Sequence, residues 1–202
     1  MKYILMCGSN HEKINGVPRQ LVQINGERIL DRTIRLLREN NVEDIYITAT
    51  DPAFRYCGVP VIPYNSKGPW INCFYPQDDP ATYIMEDVYF SPEAIKTIVG
   101  TDTDCIEFFA SAPPFGVQYI KPWAEPFAFK VVNQQCFKYC IDRVRELLAA
   151  GEWRRDPIAW ELWQVIKRTP INHIDYTNYT VINDYTCDID TAEDISRLAV
   201  II

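Results

Sequence analysis

Two apolar runs of this chain end in carboxylates, and they are the first place to look for chemistry. Tyr83-Ile84-Met85 runs into Glu86-Asp87. A carboxylate at the carboxyl end of a buried strand is well placed to hold Mg²⁺. That ion takes one or two protein carboxylates and keeps its other positions for water and phosphate oxygens. The plainer reading is a pair of acids on a solvated turn. A second group lies in Asp184-Tyr185-Thr186-Cys187-Asp188-Ile189-Asp190-Thr191. Asp188 and Asp190 are two apart, so an extended backbone points both to one face. Like charges there repel unless a cation or solvent separates them. The competing reading is capping, because Thr191-Ala192-Glu193-Asp194 resembles a capping box; the two roles can coexist. Asp102 and Asp104 share the spacing but sit in a polar turn and read as solvated.

The loop from Cys7 to Gln20 is the third candidate. It holds Gly8, Ser9 and Asn10, with Lys13 and Arg19 as cations. A loop after a first strand exposes backbone N–H groups that can cradle phosphate or a nucleobase edge. Neither Gly-x-Gly-x-x-Gly nor Gly-Lys-Ser/Thr occurs in it, so composition alone also fits a plain surface loop. His11 and His173 are too isolated to suggest a catalytic histidine, and no Gly-x-Ser-x-Gly elbow exists. Trp70 and Trp123 lie in Pro-rich stretches, where either can wall a ligand pocket. Trp160 and Trp163 share one helical segment and can face a second copy of the chain as readily as a core.

Positioning these groups calls for alternating strands and helices. Tyr3 to Met6 is a continuous apolar run, the pattern of a strand buried on both faces. Residues 27–40 place Leu30, Ile34 and Leu37 on one helical face with Arg and Glu opposite. Asp44 to Thr50 is β-branched and aromatic, a strand pattern. Strand, turn, helix and strand in this order make a βαβ unit and predict an α/β fold, a mostly parallel sheet with helices on both faces. Residues 51–82 carry six prolines and predict loops with a short strand near Val59–Ile62. Further strands are expected at Ala81–Met85, Cys105–Ala110 and Phe127–Val132. Ser91-Pro92-Glu93 reads as a helix start. Helices are expected over 134–149, over roughly 157–168 opened by Asp156-Pro157, and after Thr191.

Composition narrows the partners. The 202 residues carry 27 acids and 20 bases, a net charge of −7. With no basic stripe, a nucleic-acid partner is not expected, because phosphate neutralisation needs clustered Lys and Arg. The seven cysteines are scattered, with no C-x-x-C. They predict free thiols and a cytoplasmic setting. The apolar run Tyr3–Cys7 is too short for a signal-peptide core or a membrane span, so no membrane partner is expected.

The order of the motifs resembles the nucleotidyltransferases of the glycosyltransferase-A-like fold, which make nucleotide-activated sugars and alcohols. Met6-Cys7-Gly8 is similar to the start of that family's A-A-G-x-G-T-R-M loop, with Asn10-His11-Glu12-Lys13 standing where the family has G-T-R-M. Pro18-Arg19-Gln20-Leu21 resembles P-K-x-L, and Ile24-Asn25-Gly26-Glu27-Arg28-Ile29-Leu30 resembles I-x-G-K-P-L-L. Glu86-Asp87-Val88-Tyr89-Phe90 looks like G-D-x-x-F, Lys121-Pro122 like the end of E-K-P, and Asp188 to Asp194 like D-x-D-T-P-E-D-L. The matches run in the family's order from residue 3 to residue 198.

The resemblance implies a single nucleotidyltransferase domain over 1–202 with an acceptor-binding elaboration roughly over 113–180. It implies transfer of a nucleoside monophosphate from a nucleoside triphosphate to a small phosphorylated sugar or alcohol, with release of pyrophosphate. Mg²⁺, or Mn²⁺ in its place, would be held by Asp87 with Asp190 or Asp188. Arg19 and Lys13 would neutralise the triphosphate, and Lys121 would hold the acceptor phosphate. Cys7, Gly8, Ser9, Asn10 and Arg19 would line the nucleotide, with the Gly8 backbone against the base. A glycosyltransferase of the same fold and a non-catalytic nucleotide-binding relative are the alternatives.

Overall fold

β1 (Lys2–Leu5) is an interior strand of the main sheet, and three of its four residues are buried. In the computed structural model, residues 1–8, 13–64, 67–113, 123–153 and 155–202 are described. Ser9, Asn10, His11 and Lys121 lie outside them. Two small hairpins follow β1. β2 (Lys13–Ile14) pairs with β3 (Val17–Pro18), and β4 (Gln23–Ile24) pairs with β5 (Glu27–Arg28). Each turns on an Asn-Gly pair with both residues at positive φ, Asn15-Gly16 and Asn25-Gly26. That is the geometry a two-residue hairpin loop demands. The Asn-Gly dipeptides were the signal for these hairpins, which the periodicity of the sequence does not show.

α1 (Ile29–Glu39) buries Leu30, Ile34 and Leu37, the face its spacing predicts. β6 (Ile45–Thr48) and β7 (Val61–Ile62) follow, then β8 (Ala81–Ile84), which is buried throughout, and the short β9 (Val88–Tyr89). α2 (Pro92–Gly100) starts as its sequence predicts, with Ser91 Oγ accepting the Ala94 N–H at 2.9 Å. β10 (Ile106–Ala110), β11 (Pro126–Val131) and α3 (Gln134–Ala149) come next. α4 (Ala159–Lys167) begins later than Asp156-Pro157 suggests. There the Glu161 carboxylate accepts the Ile158 N–H at 3.0 Å and satisfies the helix start in their place. β12 (Thr180–Val181), β13 (Cys187–Asp188) and α5 (Ala192–Ile201) complete the order.

The main sheet has seven strands in the order β12-β10-β11-β8-β1-β6-β7. All neighbours are parallel except β11, which runs antiparallel to both β8 and β10. β13 and β9 form a separate antiparallel pair. Helices pack against one another in two pairs, α1 with α2 and α3 with α4. Aromatic side chains fill the core around β11. Phe129 stacks on Phe108 with ring centroids 4.5 Å apart, and Phe74 meets Tyr83, Phe129 and Phe137 edge to face. Such pairs contribute about 0.5–1.5 kcal/mol each beyond their buried area. Trp160 and Trp163 belong to this core: their indole N–H groups donate to the Ala124 and Thr177 carbonyls. No helix among the described residues is long and apolar enough to cross a membrane.

Candidate active site

The order of the sheet fixes where a ligand can bind. From β1 the chain moves outward to β6 and β7, then crosses back to place β8 on the other side of β1. The carboxyl ends of β1 and β8 therefore flank a topological switch point, the place where open α/β sheets leave a crevice. Met6-Cys7-Gly8 leaves β1 there, and Glu86-Asp87 leaves β8.

Three separate parts of the chain converge on Glu86-Asp87. The first is the 3₁₀ turn Arg19–Leu21, closed by the Val22 N–H on the Arg19 carbonyl. It aims two consecutive side chains at two consecutive acids. Arg19 Nη2 lies 3.1 Å from Asp87 Oδ2, and Gln20 Nε2 donates to Glu86 Oε1 at 3.0 Å. The second is the C-terminal segment. β13 pairs with β9 so that Asp188 faces Val88, and the Ile189 N–H donates to the Asp87 carbonyl at 2.8 Å. The Thr186 side chain accepts the Ser91 N–H, and Ser91 Oγ donates to Asp184, so the segment is also laced to the start of α2. The third is the segment before β11: Glu125 Oε2 accepts the Asp188 N–H at 3.1 Å.

Both readings of the Asp188–Thr191 stretch hold in part. Thr191 caps α5, and Asp194 Oδ2 accepts the N–H groups of Asp190 and Thr191. Because Thr191 and Asp194 do the capping, the Asp190 carboxylate is left for Arg19 Nη1, with which it makes a charge-assisted hydrogen bond. One planar guanidinium thus links Asp87 and Asp190, a geometry that suits Arg rather than Lys.

The electrostatics of this group follow from burial. Glu86 is 4 % exposed, not on a solvated turn. Its carboxyl is raised well above the ordinary range by burial, and then by the charge of Asp87. Asp87 is pushed up to about 6, first by burial, while Arg19 pulls it down and Asp188 and Asp190 push it up. Asp87, Asp188 and Asp190 are hard oxygen donors beside phosphate-sized space, the ligand chemistry Mg²⁺ prefers. As arranged around Arg19, no three His, Cys, Asp or Glu side chains among the described residues stand close enough together to enclose an ion. One or two carboxylates are all that Mg²⁺ requires of a protein, so the donor set fits it.

The described part of the β1 loop is set by packing. The Cys7 side chain is fully buried, and burial holds its thiol well above the ordinary value. It belongs to the core, so only its backbone is available to a ligand. A Cβ on Gly8 would stand 2.9 Å from the Tyr64 carbonyl oxygen. The bare Cα is therefore already required by packing between two loops, whatever the Gly8 backbone offers a ligand. Lys13 is exposed on the first hairpin.

Beside the carboxylates lies a cleft of about 240 Å³ lined by Met6, Met85, Trp70 and Trp123 together with Glu86, Asp87, Glu125 and Asp188. Both candidate tryptophans reach it. Gln20 and Glu125 escaped the reading of the sequence: Gln20 stood next to a noted Arg, while nothing in the sequence marks Glu125.

No protein-family model matches the chain, and no curated protein matches it in sequence. Solved structures do share its fold. The CTP:phosphocholine cytidylyltransferase from Streptococcus pneumoniae superposes with a TM-score of 0.60 at 15% identity, covering 99% of this chain and 98% of its own. A putative glucose-1-phosphate thymidylyltransferase from Bacillus anthracis gives 0.61 at 12% identity, covering 100% and 94%. The inositol-1-phosphate CTP transferase from T. maritima gives 0.55 at 15% identity, covering 98% and 96%. At these identities the likeness establishes the fold.

Proposed function

We propose that the protein is a Mg²⁺-dependent nucleotidyltransferase acting on a small phosphorylated sugar or alcohol. The observation that carries this reading is the meeting of Arg19 with Asp87 and Asp190 at the switch point of the sheet. The activities named for the three similar structures, two cytidylyl transfers and one thymidylyl transfer, point the same way.

In the reaction an oxygen of the acceptor phosphate attacks the α-phosphorus of a nucleoside triphosphate. A new P–O bond forms, the bond from the α-phosphorus to the bridging oxygen breaks, and pyrophosphate leaves with the electron pair. Such a step calls for positioning and charge neutralisation rather than a covalent nucleophile. Asp87, with Asp190 or Asp188, would hold Mg²⁺, which when bound neutralises phosphate charge and withdraws electrons from phosphorus. Arg19 tethers the two carboxylates in the free protein. A bound triphosphate offers its guanidinium a new anionic partner and frees those carboxylates for the ion. Gln20 holds Glu86 in place next to Asp87. Lys13 assists with triphosphate charge, Ser9 and Asn10 approach the nucleotide, and Lys121 takes the acceptor phosphate; these roles rest on the resemblance. The acceptor-binding elaboration over 113–180 supplies Trp123, Glu125 and Ile158 to the cleft. The seven free thiols suit a reducing cytosol.

A thermal-shift panel with CTP, UTP, GTP, ATP and dTTP, each with and without Mg²⁺, tests the reading beside a UDP-sugar. A ligand at about 100 times its dissociation constant adds roughly 2.7 kcal/mol, or several degrees at this chain length. A Mg²⁺-dependent shift with one triphosphate supports nucleotidyl transfer and names the base. A shift with the UDP-sugar alone replaces it with glycosyl transfer.

A further inference from the structure

Of the seven cysteines, Cys105 and Cys136 are partly exposed, and the other five are buried. The two exposed ones are neighbours in space. Cys105 stands immediately before β10, and Cys136 lies in the first turn of α3. The Cys105 carbonyl accepts the Val132 N–H at 2.8 Å and the Asn133 N–H at 3.0 Å, which joins the base of the β10–β11 hairpin to the start of α3. Asn133 in turn caps α3, its Oδ1 accepting the Cys136 N–H at 2.9 Å. Two backbone bonds and one cap therefore fix the Cys105 backbone beside that of Cys136. The Cys136 thiol is in hydrogen-bonding contact with the Cys105 thiol and, on its other side, with the Cys140 thiol.

Three thiols in a row offer two disulfides, and geometry separates them. Cys136 and Cys140 are one turn apart on the same helix. Cβ atoms at that spacing lie about 5–6 Å apart, whereas a disulfide needs about 3.5–4.5 Å. Joining them would require the helix to open. Cys140 is also buried, and burial, followed by the Cys136 sulfur, pushes its thiol up to about 12. It therefore stays protonated, and the thiolate is the reactive form. Cys105 lies off the helix, so its approach to Cys136 is not set by the helical spacing. The Cys105 thiol is raised by burial first and then by the Cys136 sulfur beside it. That second influence ends once Cys136 carries a cap.

We propose that Cys105 and Cys136 form a reversible disulfide when the protein meets a low-molecular-weight disulfide such as glutathione disulfide. The Cys136 thiolate attacks one sulfur of the oxidant, whose S–S bond breaks, and one small thiol leaves. The Cys105 thiolate then attacks the Cys136 sulfur of the mixed disulfide, and the second small thiol leaves. Two protein thiols give up two electrons and two protons, and the oxidant becomes two thiols. The bond closes the base of the β10–β11 hairpin, whose connecting segment at the other end brings Trp123 and Glu125 to the cleft. The site does not depend on the nucleotidyl-transfer reading.

The test uses the parent chain, so it does not depend on a variant folding. Reduced protein is incubated with excess glutathione disulfide, the remaining thiols are alkylated, and the peptides are mapped by mass spectrometry. One linked pair, Cys105 with Cys136, is expected, with the five buried cysteines alkylated after unfolding and full reversal by dithiothreitol. The oxidised protein is expected to unfold several degrees above the reduced one, because a bond that fits the native fold constrains only the unfolded chain. Two variants check the order of steps. Cys105→Ser is expected to stop with glutathione held on Cys136, and Cys140→Ala to leave the linked pair unchanged. The absence of a linked pair, glutathione left on both cysteines, a link between Cys136 and Cys140, or an oxidised form less stable than the reduced one overturns the proposal.

Discussion

Replacing Asp87 by Asn should make the metal-free protein more stable while removing its function. The carboxyl is pushed up to about 6 in the folded protein, against 3.8 for an ordinary aspartate, because it is largely withdrawn from water and stands beside Asp188 and Asp190, with Arg19 offsetting part of the rise. For an acid whose folded pKa is raised, ionisation costs more in the folded state than in the unfolded one. Its contribution to stability is therefore intact below about pH 4, is lost as pH rises through about 6, and stays lost above. At about 1.4 kcal/mol per pKa unit, the gap of roughly two units corresponds to about 3 kcal/mol at pH 8. That value already includes the pull of the Arg19 guanidinium, which lies 3.1 Å from Asp87, so the contact is not subtracted a second time. The expected net gain for Asp87→Asn is about 2–3 kcal/mol at pH 8 in EDTA, shrinking towards zero at pH 4. Urea unfolding at the two pH values measures it. Adding Mg²⁺ with the triphosphate should reverse the order by stabilising only the parent protein, and pyrophosphate release should fall by about 10² or more. A variant less stable than the parent at pH 8 in EDTA would refute the reasoning, since it would mean that the Arg19 pair outweighs burial and like-charge repulsion.

Arg19→Lys keeps the charge but cannot bridge Asp87 and Asp190 with one planar group; we expect a KM for triphosphate at least 10-fold higher, read by initial rates, with the fold unchanged by circular dichroism. Gly8→Ala places a Cβ 2.9 Å from the Tyr64 carbonyl, so a loss of about 1–3 kcal/mol is expected in urea titration. Thr191→Ala removes the cap of α5 and should cost about 1 kcal/mol; because that cap leaves Asp190 free for Arg19, weaker Mg²⁺ binding by calorimetry is expected beside the loss of stability.

The elements that position the site were legible because their signals are local. The apolar run at Tyr3, the helical spacing of Leu30, Ile34 and Leu37, the Ser91-Pro92 start and the Thr191–Asp194 box each satisfy backbone or burial demands within a few residues. Asp87, Asp188 and Asp190 could be nominated in the same way, from strand ends and period-two spacing. The two Asn-Gly hairpins were equally local and carry their own signal, which periodicity does not register.

What only the tertiary structure decided is who meets whom. Arg19 and Asp190 are 171 residues apart in sequence, yet share a hydrogen bond. Gln20 and Glu86 pair across 66 residues, and Asp188 and Glu125 across 63. The sequence alone gives Glu125 no mark, because its burial comes from the walls around it and not from its neighbours in the chain. The role of Gly8 was open for the same reason: the Tyr64 carbonyl that forbids a side chain there belongs to another loop. Helix and strand patterns depend on neighbours a few residues away. Proton affinity, pairing and the contents of a cleft depend on the dielectric and charge supplied by distant segments, and those exist only once the sheet has brought β1, β8 and the C-terminal segment to one edge.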